Sequence, residues 1–187
     1  MMTHGVQIRV HTHPPIAAGP STAERVRRIL GGFHAGVAGV ALAAGVIILL
    51  QGETALGVAA LGQALLVAVY FALVLVWLAV GEDDGGPDLT AAASAFQKQA
   101  AALVTLAGVV LALVIALPGD DSPTLTIKVA GAALVVSALA GLLLAGLVAT
   151  GVGARAQYFL ASIVYSASIW TLSFGLLCLA TALVIER

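Results

Sequence analysis

The side chains that could do chemistry in this sequence are a few polar residues set inside or beside long apolar runs. His34 lies in the run GGFHAGVAGVALAAG (31–45), directly after a cluster of arginines, and Glu53 and Gln63 lie in or beside the next run. A histidine that enters hydrocarbon can relay a proton, hold a metal or contact lipid headgroups. We expect headgroup contact, because His34 lies only about 6 Å past the start of its run at 1.5 Å per helical residue.

Gln63 is the most deeply placed of these polar residues. It lies about eight residues, or roughly 12 Å, into the second run, where an amide must find hydrogen-bond partners. We expect the partner to be Glu53, Gln51 or a serine of another helix, in a bond that holds two helices together. The alternative is an amide that lines a pore or contacts a substrate.

Hydroxyl groups recur along the last apolar run at helical spacing. Ser162, Ser166 and Ser173 fall on one helical face, and Ser168 and Thr171 fall on another. A face of hydroxyl groups can line a narrow aqueous path or hydrogen-bond to a partner subunit. Helix packing is the interpretation that we favour, because serine commonly bonds across helices in membranes.

No combination of residues predicts a metal site, a cofactor or catalysis. His11 and His13 would share a face of the strand-like segment VQIRVHTH, but two ligands without a third do not make a metal site. The single cysteine, Cys178, lies in an apolar run, where a thiol is a packing residue. The sequence has no H-E-x-x-H motif, nucleophile elbow, phosphate-binding glycine loop or pair of intramembrane aspartates. We therefore expect neither an enzyme nor a bound cofactor.

The composition indicates which elements position these residues. Of the 187 residues, 61% are hydrophobic and 9% are charged, against about 25% charged residues in globular domains. Eight basic residues balance nine acidic ones, which gives no bias towards nucleic acid. Because the chain cannot cover a water-facing surface, we expect the lipid bilayer to be its main partner.

Five apolar runs approach or exceed the ~20 residues that cross a bilayer. We predict an all-α, polytopic integral membrane protein with a transmembrane helical bundle over residues 22–187. Residues 1–21 should form a flexible cytoplasmic tail, and the capping box STAE (21–24) should begin the first helix. The alternative has four spans, with 127–184 holding one helix and a re-entrant piece. The five predicted transmembrane helices cover about 30–50, 55–80, 98–117, 127–150 and 157–184.

The basic residues predict the orientation of the bundle. A cytoplasmic N-terminal tail puts six basic residues on the cytoplasmic side and leaves only Lys128 and Arg187 outside. Because lysine and arginine in short flanking segments are retained on the cytoplasmic side, we expect an N-in, C-out topology. The expected location is the inner or plasma membrane of the cell.

Small residues recur at every fourth position along four of the runs. Residues four apart share one helix face, so each stripe is a smooth groove in which another helix can approach closely. We therefore expect tight packing within the bundle, and further packing against a second copy or against other membrane subunits. The residues predicted to carry helix packing are Gly32, Gly36, Gly39, Ala64, Ala68, Gly108, Ala112, Ser137, Gly141 and Ala145.

Two functions remain open at this point. The first is a small multi-pass membrane protein without catalytic chemistry, which acts as a structural, accessory or interaction subunit of a membrane complex. The packing grooves and the small size of the soluble segments favour it. The alternative is an oligomeric channel, pore or transporter component, lined by Gln63 and the serine face of the last span.

Overall fold

The computed structural model describes residues 22–80, 89–116, 124–147 and 154–185. Within these ranges the chain forms five helices and no strand, and each helix contains a stretch long and apolar enough to span a membrane. The predicted all-α bundle is therefore confirmed. The helices are α1 (Thr22–Leu50), α2 (Thr54–Val80), α3 (Leu89–Ala116), α4 (Leu125–Leu147) and α5 (Ala154–Ile185).

The last two helices are separate elements of 23 and 32 residues. Each is long enough to cross a bilayer core, which needs about 20 helical residues. The four-span alternative, with a single helix and a re-entrant piece over 127–184, is therefore wrong. The predicted tail (1–21) lies outside the described residues.

The turn between α1 and α2 is a tight helical hairpin. Gly52 has φ = 89°, a left-handed conformation that favours glycine at the end of a helix. The Gly52 N–H donates to the carbonyl oxygen of Leu49 at 3.0 Å, and the Glu53 N–H donates to that of Ile48 at 3.2 Å. These two bonds form a Schellman motif, which satisfies the last carbonyl groups of α1 and turns the chain back into α2.

The central helix of the bundle is α5. It packs against α2, α3 and α4, whereas α1 packs almost entirely on α2. Residues buried inside the bundle make up 33% of the most apolar stretch of α5, but only 11% of the corresponding stretches of α1 and α3. The helices α1 and α3 therefore lie at the periphery, with most of their surface outside the bundle.

Small residues set the spacing between α4 and its two neighbours. A Cβ added to Gly175 of α5 would lie 3.1 Å from Cγ of Leu134 and 3.2 Å from the carbonyl oxygen of Ala130. A Cβ added to Gly141 of α4 would lie still closer to a side-chain carbon of Val104 of α3. Glycine at these positions lets the helix backbones approach closely, which is a common basis of helix association in membranes.

Candidate functional site

His34 lies inside a cluster of aromatic rings where α1, α2 and α5 meet. Its side chain is only 7% exposed. The ring centroid of His34 is 5.5 Å from that of Tyr70, 6.3 Å from that of Phe71 and 5.9 Å from that of Trp170. The sequence predicted that His34 contacts headgroups, but the structure buries its ring in this cluster, because α1 turns this face towards α2.

Two nitrogen atoms in the cluster have no hydrogen-bond partner among the described residues. They are Nε2 of His34 and Nε1 of Trp170, and the side chain of Trp170 is itself only 6% exposed. The other ring nitrogen of His34, Nδ1, donates to the carbonyl oxygen of Leu30 at 2.7 Å. Each buried polar atom without a partner costs about 1–3 kcal/mol, so the cluster carries a penalty that a bound polar group would relieve.

These two side chains line a cleft of about 320 Å³ between α2 and α5. The side chains that α2 contributes are 42–64% exposed, so the cleft opens onto the outer surface of the bundle. It is a lateral opening and not a passage along the bundle axis. The lining residues are His34 of α1, Leu66, Val69, Tyr70 and Leu73 of α2, and Tyr165, Ser166, Ile169 and Trp170 of α5.

Gln63 is bonded to α5 inside the bundle. Its side chain is 3% exposed. Its Nε2 donates to the carbonyl oxygen of Trp170 at 3.2 Å, and its Oε1 accepts from Oγ of Ser173 at 3.0 Å. The sequence predicted Glu53, Gln51 or a serine of another helix as the partner of this amide. In the structure the partner is a serine of another helix. The amide therefore joins α2 to α5.

A second polar contact joins α4 to α5 through Ser137 and Ser168. Oγ of Ser137 donates to the carbonyl oxygen of Ser168 at 2.8 Å, and Oγ of Ser168 donates to the carbonyl oxygen of Ser137 at 2.9 Å. Both side chains are fully buried. Because each hydroxyl group finds its acceptor on the opposite backbone, the pair is a reciprocal interhelical bond that needs no water.

The other hydroxyl groups of α5 have several different surroundings. Ser162 is buried, Ser166 lines the cleft, and Ser173 bonds to Gln63 of α2. The predicted serine face is thus divided between the interior of the bundle and the lateral cleft. It does not form one continuous surface along α5.

The predicted packing residues divide between the interior and the outer surface. Ala64, Ser137 and Gly141 are buried in the bundle. The side chain of Ala145 lies outside those described. A Cβ added to any of the outward glycines would meet no described atom within 4 Å. The residues on the outer surface are Gly32, Gly36, Gly39, Ala68, Gly108 and Ala112.

Charged and metal-binding side chains are sparse inside the bundle. Within the described ranges, no group of three or more His, Cys, Asp and Glu residues could hold a metal ion. Every Asp, Glu, Lys or Arg side chain that the structure describes is exposed. Glu53 is exposed in the α1–α2 turn. Cys178 is buried in the core beside Ala130. The predicted pair His11 and His13 lies outside the described residues.

Sequence reasoning missed Tyr70 and Trp170 as neighbours of His34. One signal could have found the first of them, since His34 and Tyr70 lie equally far from Gly52 along the chain. In a tight helical hairpin, residues equally far from the turn lie side by side. No comparable rule links His34 to Trp170, because that contact depends on how α5 packs against the hairpin.

The chain matches no protein-family model, no curated protein and no solved structure. Its five apolar helices are compatible with a small multi-pass membrane protein. Function is therefore inferred from the geometry.

Proposed function

We propose that the protein is a non-enzymatic interaction subunit of a membrane complex, in which α1 packs against a transmembrane helix of another subunit. The observation that carries this proposal is the outer face of α1, where a Cβ added to Gly32, Gly36 or Gly39 meets no described atom within 4 Å. Small residues at four-residue spacing let transmembrane helices approach closely. The groove on α1 is therefore open to a helix from outside the bundle.

The polar contacts inside the bundle support this proposal. Gln63 and Ser173 join α2 to α5, and Ser137 and Ser168 join α4 to α5. These polar groups form hydrogen bonds with one another inside the bundle. The contacts of α5 with α2 and α4 therefore do not need a partner subunit. The pore alternative needed Gln63 and the serines of α5 to face a common water-filled path, so this geometry gives it less support.

We also propose which membrane contains the protein and how the protein is oriented in that membrane. We place the protein in the inner or plasma membrane with its N-terminus in the cytoplasm, because six of its eight basic residues then lie on the cytoplasmic side. Cytoplasmic enrichment of lysine and arginine is the strongest determinant of orientation in multi-pass proteins. Reporter domains fused to each end of the full chain measure this orientation directly.

The test is co-purification from native membranes in a mild detergent, with bound proteins quantified by mass spectrometry. The full-length wild type is compared with Gly36→Leu, which fills the groove of α1. Gly146→Leu is the matched control, because Gly146 lies on the outer surface of α4 and a Cβ there also meets no described atom within 4 Å. We expect Gly36→Leu to lower the yield of one fixed partner about tenfold, equivalent to about 1.4 kcal/mol, and Gly146→Leu to retain it.

Two results would overturn the proposal. One is a set of bound proteins that does not differ between the wild type and Gly36→Leu. The other is ion or solute flux through the purified protein in liposomes that Gln63→Leu abolishes while the bundle stays folded. That second result would support the pore alternative.

A further inference from the structure

The cleft between α2 and α5 has the features of a binding site. Two polar side chains that line it, His34 and Trp170, are more than nine-tenths buried, and each has a ring nitrogen without a partner among the described residues. The cleft volume of about 320 Å³ lies at the lower end of the roughly 300–1,000 Å³ that ligand pockets occupy.

The position of the cleft favours a ligand that is soluble in the membrane. His34 lies about 9 Å along α1 from Arg28, where the apolar stretch of that helix begins, at 1.5 Å per residue. The exposed side chains of Leu66 and Leu73 flank the opening on the outer surface of α2. In a membrane this surface faces acyl chains, so a ligand enters sideways from the hydrocarbon.

The two unpartnered nitrogens differ in hydrogen-bonding character. The carbonyl oxygen of Leu30 can only accept, so Nδ1 of His34 carries the proton in the bond between them. In the tautomer with its one proton on Nδ1, Nε2 is an acceptor. Nε1 of Trp170 is always a donor. The residues that line the cleft therefore include one acceptor and one donor without a partner among the described residues.

A hydroxyl group is the simplest group that complements this pair, because it accepts one hydrogen bond and donates another. The rings of His34 and Trp170 are perpendicular, with centroids 5.9 Å apart. These two rings are direct neighbours in the wall of one cleft. An ether, ester or ketone oxygen can accept from Trp170 but has no proton to donate to His34.

We propose that the cleft binds a membrane-soluble alcohol or phenol by its hydroxyl group. The hydroxyl oxygen accepts from Nε1 of Trp170, and the hydroxyl proton is donated to Nε2 of His34. The apolar body of the ligand packs against Tyr70 and Ile169 and extends into the bilayer. This site is independent of the outer face of α1.

The test is equilibrium binding to the full-length protein in phosphatidylcholine nanodiscs. Tritiated dodecanol is the probe, and unlabelled dodecanol, undecyl methyl ether, dodecane and nonylphenol are the competitors. The ether has the same number of heavy atoms as dodecanol but no hydroxyl proton. We expect saturable binding of one dodecanol per protein, about tenfold weaker competition by the ether for the loss of one hydrogen bond, and no competition by dodecane. The relative affinities of dodecanol and nonylphenol distinguish an aliphatic from an aromatic ligand.

Two variants assign the two bonds. Trp170→Phe should weaken the binding of dodecanol and of the ether by the same factor, about five- to tenfold, because the oxygen of each accepts a hydrogen bond from Nε1. His34→Phe should remove the preference for dodecanol over the ether. Thr181→Val is the matched control, because its hydroxyl group bonds only to carbonyl oxygens of α5, at Leu177 and Cys178.

The proposal is wrong if dodecanol binding does not exceed its partition into empty nanodiscs, or if the ether competes as well as dodecanol on the wild type. It is also wrong if a folded His34→Phe retains the preference for the alcohol. Should His34→Phe fail to fold, the comparison of alcohol and ether on the wild type decides the matter alone.

Discussion

Replacing Gln63 with leucine tests whether its amide holds two helices together or lines a conducting pore. Gln63→Leu removes the bond from Nε2 to the carbonyl oxygen of Trp170 at 3.2 Å and the bond from Ser173 to Oε1 at 3.0 Å. Ser173 keeps its own bond to the carbonyl oxygen of Trp170 at 3.0 Å. The substitution therefore removes two interhelical bonds without leaving the Ser173 hydroxyl group unpartnered.

The expected loss of stability follows from those two bonds. Interhelical hydrogen bonds in a membrane contribute about 0.6 kcal/mol on average and about 1.7 kcal/mol at most. Leucine has a size close to that of glutamine and fills the same space between α2 and α5. We therefore expect Gln63→Leu to lower the free energy of unfolding by about 1–2 kcal/mol.

Unfolding by sodium dodecyl sulfate in mixed micelles, followed by circular dichroism, measures this change. Thr181→Val is the control for the loss of a polar group that bonds only within its own helix, and it should be nearly neutral. Flux across liposomes should not differ between Gln63→Leu and the wild type. The reasoning is refuted by a loss above about 4 kcal/mol, which two such bonds cannot supply, or by a flux that disappears at unchanged stability.

Three further predictions concern the packing around α5. In the same unfolding assay, Ser137→Ala and Ser168→Ala should each cost about 0.6–1.7 kcal/mol, and a neutral result would contradict the reciprocal bond between them. Gly175→Ala should cost about 1–3 kcal/mol, because its Cβ would lie 3.2 Å from a carbonyl oxygen of α4, whereas Gly146→Ala meets open space and should be tolerated. Cys178 is fully buried, so its alkylation by N-ethylmaleimide should follow unfolding, and rapid labelling of the folded protein would contradict its position.

The helices of this bundle could be predicted closely from the sequence. Within a bilayer, backbone groups must be satisfied inside each segment, so an apolar run between turn-forming residues has one regular conformation. The predicted span 55–80 differs from α2 (Thr54–Val80) by one residue at its start, and the span 30–50 ends where α1 does. The glycine in QGETA supplies the positive φ that the turn needs.

The inward face of each helix could not be predicted in the same way. Lipid is as apolar as leucine, so the alternation of polar and apolar residues that separates core from surface in soluble helices is weak here. Gly36, which was predicted to carry packing, faces away from the bundle, while His34 turns inward to Tyr70 and Trp170. The rotation of each helix about its own axis depends on contacts throughout the bundle. The sequence of one helix therefore does not determine which of its faces turns inward.

The different surroundings of α1 and α5 explain how each helix uses its polar groups. Three other helices pack against α5, so Ser168 and Ser173 find acceptors on α4 and α2. Only one side of α1 packs against other helices of the bundle. Its buried His34 has a hydrogen-bond partner for Nδ1 only, and that partner lies within α1 itself. The same asymmetry leaves Gly36 facing outward. A ligand in the cleft and a helix on the outer groove would therefore bind α1 from opposite sides, and each would stabilise the folded bundle because it binds the native arrangement only.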